Sequence, residues 1–450
     1  MTLSAVALVG GFLYLNSETA PPSISQAETE INALLEKNND KGAEKRITKY
    51  VQDLSLSTRF KTDVGQASIN PKFEKYLADK IFNVCGRSIS SESKQLIIQN
   101  LVTDAAGLMK DASARLGNDI KSGALASLGV RTTDVVEKME PLGDESHYEG
   151  KVPLLITLTD GKKIVYKPRS MLPEKVLCDK ETGLLHEVGF GTYNVVCRSD
   201  DKGEFGYSEL IENKQEENTV KSPKEVVEYL EKLCVLDKIG QELGLSDLHY
   251  LNIITQNKQP CIIDAEVFLV PPGIKTGIMD SQNGSAVMFD LSTGTMKSLL
   301  GKNKIWFDSS MGTKGAFKYY MFDEDLAKIG VDRQKIHDGV ELAPPIIETV
   351  KSTKLELQKE SGRFILIETK GLKDEMMSID PLKPKSAEQL VGLIESEVEK
   401  YEGFAFDKGA TEAITDQILK DATHNDIPAF CFNSTTNEIV YNGIVIGSKV

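Results

Sequence analysis

The sequence contains no C-x-x-C pair, and its six cysteines (Cys85, Cys178, Cys197, Cys234, Cys261 and Cys431) have no histidine at metal-ligand spacing. That argues against a zinc site, and scattered cysteines in a chain this large fit a reducing compartment. No G-x-x-x-x-G-K-[ST] stretch is present, which disfavours a P-loop nucleotide site. A glycine-rich kinase loop is also missing; the Gly143–Gly150 segment stands where one would, just before the first clear strand, and by itself reads as a turn. Basic residues are the minority, 53 against 67 acidic, and the net charge of −14 does not favour nucleic acid or anionic membrane as a partner. Long apolar runs are lacking. The mostly apolar Leu3–Leu15 run is too short to span a bilayer and has no basic flank or small-residue exit, so we expect a buried first helix rather than a targeting signal. No integral membrane span is expected, and the expected location is the cytoplasm, with secretion into a host cell as the alternative.

What is present is the mixture of a globular protein: 40% hydrophobic and 27% charged residues over 450 positions, too long for one ordinary core. Residues 26–140 read as mainly helical, with apolar residues at helical spacing in Ala27–Leu35, Lys45–Leu54, Pro71–Phe82 and Ser91–Leu108. The texture changes near Leu142. Val152–Thr159 alternates, Asp160-Gly161 signals a hairpin, and Lys163–Lys167 is the return strand. A second β-rich stretch runs from Tyr193 to Ile211. Ser222-Pro223-Lys224-Glu225 then opens a helix to about Leu243, with a Ser cap, Pro at the first helical position and Glu three residues after the cap. A polar loop, Ser246–Asn252, and a short strand, Cys261–Ile263, follow. Gly273–Lys304 reads as a long loop. Helices are expected to dominate from Ile329 onward, with a β-like tail at Glu438–Ile446.

Three pieces fall in an order that has chemical meaning. Lys167 ends the return strand of the hairpin. Asp247-Leu248-His249-Tyr250-Leu251-Asn252 lies in a loop after a helix. Asp264-Ala265-Glu266 directly follows a short apolar strand. Phosphoryl transfer needs these residue types in this order: a strand lysine for the ATP phosphates, a loop aspartate for the attacking hydroxyl, and an asparagine and a second aspartate for magnesium. The protein-kinase catalytic loop separates its aspartate and asparagine by the same interval as Asp247 and Asn252. Each piece alone has a bland alternative, as a solvated lysine, turn formers or a structural histidine; the joint pattern favours function.

These residues resemble the dehydratase domain of class II lanthipeptide synthetases (LanM type). The matching segments are Gly143 to His147, Tyr166 to Ser170, Phe205-Gly206-Tyr207-Ser208-Glu209, Asp247 to Asn252, Asp264 to Glu266, Arg363 to Thr369 and Asp426-Ile427-Pro428-Ala429-Phe430, in the family's order. The resemblance implies an α+β fold with a kinase-like, lipid-kinase-like bilobal core, an N-terminal helical region and a C-terminal helical subdomain. It implies ATP and Mg2+ as cofactors and a Ser/Thr-bearing peptide or protein as substrate, phosphorylated and then stripped of phosphate to a dehydroamino acid. By the same resemblance Lys167, Arg169, Glu266 and His147 serve the nucleotide. Asp247, His249 and Asn252 form the catalytic loop, Asn252 and Asp264 hold the metal, and Arg363 and Thr369 act in elimination. The sequence departs from the family at Ile367, where a second arginine is usual, at Lys370–Glu375, which lacks an aromatic, and at Ala429. It also ends at Val450, before a cyclase domain.

The expected segments are therefore a helical scaffold (1–140), a kinase-like N-lobe (141–215), a C-lobe with the catalytic and metal loops (216–345) and a helical, elimination-like subdomain (346–450). The alternatives are an atypical protein or lipid kinase without elimination, and a pseudoenzyme that binds nucleotide or peptide without turnover. The complete set Lys167, Asp247, Asn252 and Asp264 argues against the pseudoenzyme.

Overall fold

The computed structural model describes residues 40–53, 60–62, 65–69, 71–143, 145–214, 216–248, 252–271, 306–307 and 330–449, with a few single positions besides. The Leu3–Leu15 run, nearly all of the Ala27–Leu35 and Gly273–Lys304 segments, and His249 lie outside the described residues. The chain mixes helix and sheet. It divides into two compact units that are discontinuous in sequence, one of residues 1–168, 367–397 and 407–429, the other of residues 169–366, 398–406 and 430–450.

In the first unit the helices Asp40–Asp53, Pro71–Cys85 and Ser91–Ser122 form the scaffold that the apolar spacing predicts. The last runs for 32 residues, about 48 Å at 1.5 Å per residue. Ser90 caps it by accepting from the Ser93 N–H. Its stripe of Ile97, Leu101, Ala105, Leu108, Ala112, Leu116 and Ile120 recurs every three or four residues, and each is buried. The region is less purely helical than expected. Strands β1 (Phe60–Thr62) and β2 (Gly65–Ile69) form a hairpin, and β2 pairs in parallel with β3 (Val136–Pro141). Short strands of this kind carry too little alternation to stand out from helical text. The hairpin of β4 (Leu154–Leu158) and β5 (Lys163–Lys167) forms as predicted, in the register Leu154↔Tyr166 to Thr157↔Lys163.

Asp380 fixes a turn of this unit to the start of the long helix. Its carboxylate accepts from the Ser93 hydroxyl, from the Ser90 N–H at 3.2 Å and from the Leu382 N–H at 3.2 Å, and pairs with Lys383 at 3.0 Å. Burial raises its pKa, but these donors outweigh it and bring the carboxyl from 3.8 down to about 2.

In the second unit, β6 (Val195–Asp200) and β7 (Gly203–Glu209) make an antiparallel hairpin. After β8 (Thr219–Val220), the helix Pro223–Leu243 starts at the predicted cap: the Ser222 hydroxyl accepts from the Glu225 N–H at 3.3 Å. The Glu225 carboxylate reaches back to the Lys221 N–H, one residue before the cap. Strands β9 (Ile253–Gln256) and β10 (Gln259–Ile262) form a tight hairpin. Its two turn residues, Asn257 and Lys258, both have positive φ, the twist that matches flanking strands. Helix, hairpin and the segment after it bury Leu236, Ile239, Leu243, Ile253, Ile262 and Phe268 in one core. A short β11 (Trp306–Phe307) pairs in parallel with β8.

The C-terminal region departs from expectation. Helices are there, among them Pro344–Leu357 and Thr411–His424, and the β-like tail is confirmed as β15 (Glu438–Tyr441) and β16 (Ile444–Lys449). These strands belong to a five-stranded antiparallel sheet with β12 (Gly362–Phe364), β13 (Phe404–Phe406) and β14 (Phe430–Asn433), in the order β12-β14-β15-β16-β13. The added strands are three or four residues long and hold together through aromatic contacts, Phe364 with Phe432 at 6.2 Å and Phe404 with Phe432 at 6.1 Å between ring centroids. Among the described residues, no helix is long and apolar enough to cross a membrane. All six cysteines are free thiols.

Two stability predictions follow from particular contacts. A Cβ at Gly362 would lie 2.3 Å from the Phe268 carbonyl oxygen and 3.2 Å from two more of its backbone atoms. Gly362→Ala should therefore cost about 2–3 kcal/mol, read as a lowered Tm; an unchanged Tm would show that the two backbones are not in close approach. Asp380 has a depressed folded pKa, so its contribution is present above the unfolded value of 3.8 and is lost as pH falls through about 2. Asp380→Asn should cost about 2 kcal/mol near neutral pH. In urea titrations the gap between variant and wild type should close as pH drops below the ordinary carboxylate range.

Candidate active site

The second unit brings together Arg169, Asp247, Asn252, Asp264, Glu266 and Arg363. Asp247 sits just after the helix Pro223–Leu243, at φ 59, the left-handed region that aspartate tolerates better than most residues. Its loop is pinned on both sides: the Ser246 N–H donates to the Val267 carbonyl at 3.1 Å, and the Leu248 N–H to the Thr276 carbonyl at 2.8 Å. The Asn252 amide nitrogen donates to the Asp247 carbonyl at 2.8 Å and to its Oδ2 at 3.2 Å. That contact fixes the amide plane and turns its oxygen away from Asp247. The Asn252 carbonyl accepts from the Ile263 N–H at 2.9 Å, beyond the last rung of the β9–β10 hairpin. The hairpin thus delivers Asn252 and Asp264 to its same open end, the loop supplies Asp247 beside them, and three sequence-predicted residues share one place.

Two arginines bind the carboxylates of this place together. Arg169 forks onto Glu174, with Nη2 at 2.6 Å and Nη1 at 3.2 Å. The same Nη2 reaches Asp264 at 2.6 Å, and Nε lies 3.0 Å from Glu266. Arg363 pairs through Nη1 with the other oxygen of Glu266, and its N–H donates to the Glu266 carbonyl at 2.9 Å. Burial works against both cations, yet the carboxylates prevail: Glu174, Glu266 and Asp264 raise the pKa of Arg169, and Glu266, Asp264 and Asp247 raise that of Arg363. Both stay charged at any working pH. Four carboxylates, Glu174, Asp247, Asp264 and Glu266, face two guanidinium groups, which leaves the cluster formally two charges negative. Such a cluster attracts a cation.

The donor chemistry suits a hard divalent ion. Asp264 and Asn252 offer oxygen ligands, and magnesium takes one or two protein ligands and completes its octahedron with water and phosphate oxygens. Among the described residues no group of three or more His, Cys, Asp or Glu is arranged to hold a metal alone.

Three of the remaining predicted residues, Lys167, His147 and Thr369, belong to the first unit. Lys167 closes β5 in the first unit and is buried, 6% exposed, so the picture of a solvated strand lysine does not hold. His147, also in that unit, is held through Nδ1 by the Ile427 carbonyl at 2.7 Å. Thr369 is the first residue of the helix Thr369–Ser378. His249 is outside the described residues. Sequence reasoning missed Glu174, fully buried in the short helix Leu172–Cys178. Its one signal is an acidic residue in an otherwise mostly apolar turn.

Residues 92–300 match the family model described as Domain of unknown function (DUF4135). Over 179 residues the chain is 28% identical to the Lacticin 481/lactococcin biosynthesis protein LcnDR2 of Lactococcus lactis subsp. lactis. That alignment covers 37% of this chain and 19% of the relative, so the match spans about a fifth of the relative's length. The family-model segment contains Lys167, Arg169, Asp247, Asn252, Asp264 and Glu266, whereas Arg363 and Thr369 follow it. Over part of its length the chain is thus similar to a lacticin 481/lactococcin biosynthesis protein.

Proposed function

We propose that this chain is an ATP- and magnesium-dependent phosphotransferase of the LanM dehydratase kind, on a kinase-like frame, that phosphorylates Ser or Thr of a peptide and then eliminates the phosphate. The observation that carries the proposal is the hydrogen-bonded set Asp247–Asn252 at the open end of the hairpin that leads into Asp264. The similarity to a lacticin 481 biosynthesis protein supports a peptide as the substrate. Bound with magnesium, ATP supplies the phosphoryl group to be transferred. Asp247 accepts the proton of the attacking hydroxyl, and the Asn252 contact holds its carboxylate in place. Asn252 and Asp264 would hold the metal, and Arg169 orients the Asp264 carboxylate. Lys167 is assigned to the nucleotide phosphates by its place in the motif order.

Elimination needs a base for the α-proton and a cation for the departing phosphate as the β C–O bond breaks. Arg363 is the cation of this scheme. Glu266 already keeps it charged and oriented, and it sits in the field of Asp247 and Asp264. Thr369 is the hydroxyl that the family pattern adds.

The test is intact-mass analysis of a Ser/Thr-bearing precursor peptide incubated with enzyme, ATP and magnesium. Wild type should give net loss of water. Asp264→Asn should lower phosphorylation by at least about 100-fold, with Tm measured alongside to separate chemistry from folding. Wild-type-like phosphorylation by that variant would remove Asp264 from the site. Arg363→Ala and Arg363→Lys should let the heavier phosphorylated peptide accumulate. If wild type itself stops at stable phosphopeptide and neither Arg363 variant changes the product, the chain is a kinase without elimination.

A further inference from the structure

A cavity of about 380 Å³ opens in the first unit, and its lining includes none of Asp247, Asn252, Asp264, Glu266 and Arg363. One wall is the helix Pro71–Cys85 and the turn after it, which contribute Tyr76, Lys80 and Arg87. The others come from Ser146, from Lys373 and Met376 of the helix Thr369–Ser378, and from Asn425 to Ile427. Two of the sequence motifs that the proposed chemistry leaves unused, Gly143 to His147 and Asp426-Ile427-Pro428, therefore build this cavity.

Arg87 is its unusual member. The residue is 8% exposed. Its Nη2 donates to the Asn425 side-chain oxygen, while Nε and Nη1 are buried with no hydrogen-bond partner among the described residues. Burial alone pulls its pKa from 12.5 to about 10, with no carboxylate opposing, so it remains charged near neutral pH. A buried cation without a counter-charge is costly, and proteins carry such groups where a ligand completes them.

The carboxylates around the cavity are otherwise engaged. Asp426 accepts from the Ser146 hydroxyl at 2.7 Å and from the Glu149 and Gly150 N–H groups at 2.6 and 3.1 Å. Glu145 pairs with Lys373 at 2.9 Å, and Asp79 with Lys75 at 3.4 Å. Lys80 donates to Ser146 at 2.6 Å and lies over the Tyr76 ring, 5.2 Å from its centroid. The arrangement leaves a buried guanidinium as the uncompensated charge at the end of a cavity with a second buried cation, Lys80, in its wall.

We infer that this cavity is a binding site for an oxyanion, a phosphate or carboxylate group, with Arg87 as its principal donor and Lys80 and Lys373 beside it. The unpaired Nε and Nη1 supply the hydrogen bonds, and Met376 and Ile427 flank the body that carries the anion. The inference does not depend on the chemistry proposed for the second unit.

Thermal unfolding of the full chain, titrated separately with inorganic phosphate and with acetate against chloride at equal ionic strength, tests it. A saturable rise of about 2 °C or more by about 10 mM ligand is expected in at least one arm, and the arm that saturates names the ligand class. Arg87→Gln, which removes an uncompensated buried charge and so should fold, must abolish the saturable part. Asp264→Asn must retain it, which separates this cavity from any phosphate held at the candidate active site. No saturable response in either arm, an undiminished response in Arg87→Gln, or its loss in Asp264→Asn would overturn the assignment.

Discussion

The guanidinium of Arg169 lies between Glu174, Asp264 and Glu266, and the candidate site takes its shape from that one group. Each of its nitrogens is used, so the plane of the fork sets where two functional carboxylates stand. A lysine ammonium in the same place would be a point charge without that directional hold. Glu174 has no exposure; it supplies a counter-charge that lets an arginine be partly buried here. Through Glu266 the same arginine is linked to Arg363, so the residue assigned to elimination and the residue assigned to metal share one electrostatic frame.

Legibility in the sequence followed how local each feature is. The β4–β5 hairpin, the capped helix Pro223–Leu243 and the strand β10 were readable because their signals sit within a few residues of one another. The Asp247, Asn252 and Asp264 set was readable because one loop and one hairpin carry all of it. Glu174 was not, since nothing near it in sequence announces a partner on Arg169 or reports its burial. The pairing of Arg363 with Glu266 was hidden for the same reason: it is made by a three-residue strand that follows Asp264 by a long interval. The C-terminal sheet escaped because strands this short offer one or two alternations, and their stability comes from aromatic contacts between distant segments.

The two compact units treat arginine withdrawn from solvent in opposite ways. Arg169 and Arg363 are surrounded by carboxylates that keep them charged and immobile. Among the described residues Arg87 has a neutral amide oxygen as its partner, and its Nε and Nη1 have none. The first arrangement is complete within the chain and fixes geometry. The second is incomplete within the chain, and its stability is open to whatever fills the cavity.

The pairing of β12 with β14 sets an order on the life of the chain. Gly362, Arg363 and Phe364 find their sheet partners only at Phe432, Cys431 and Phe430. During synthesis the segment from Arg169 to Asp264 leaves the ribosome well before those partners exist, and domains of this size organise as their parts become available. The nascent chain therefore exposes Glu266 before the sheet that positions Arg363 can close over it. The proposed site is therefore assembled only after residues 430–432 have been made.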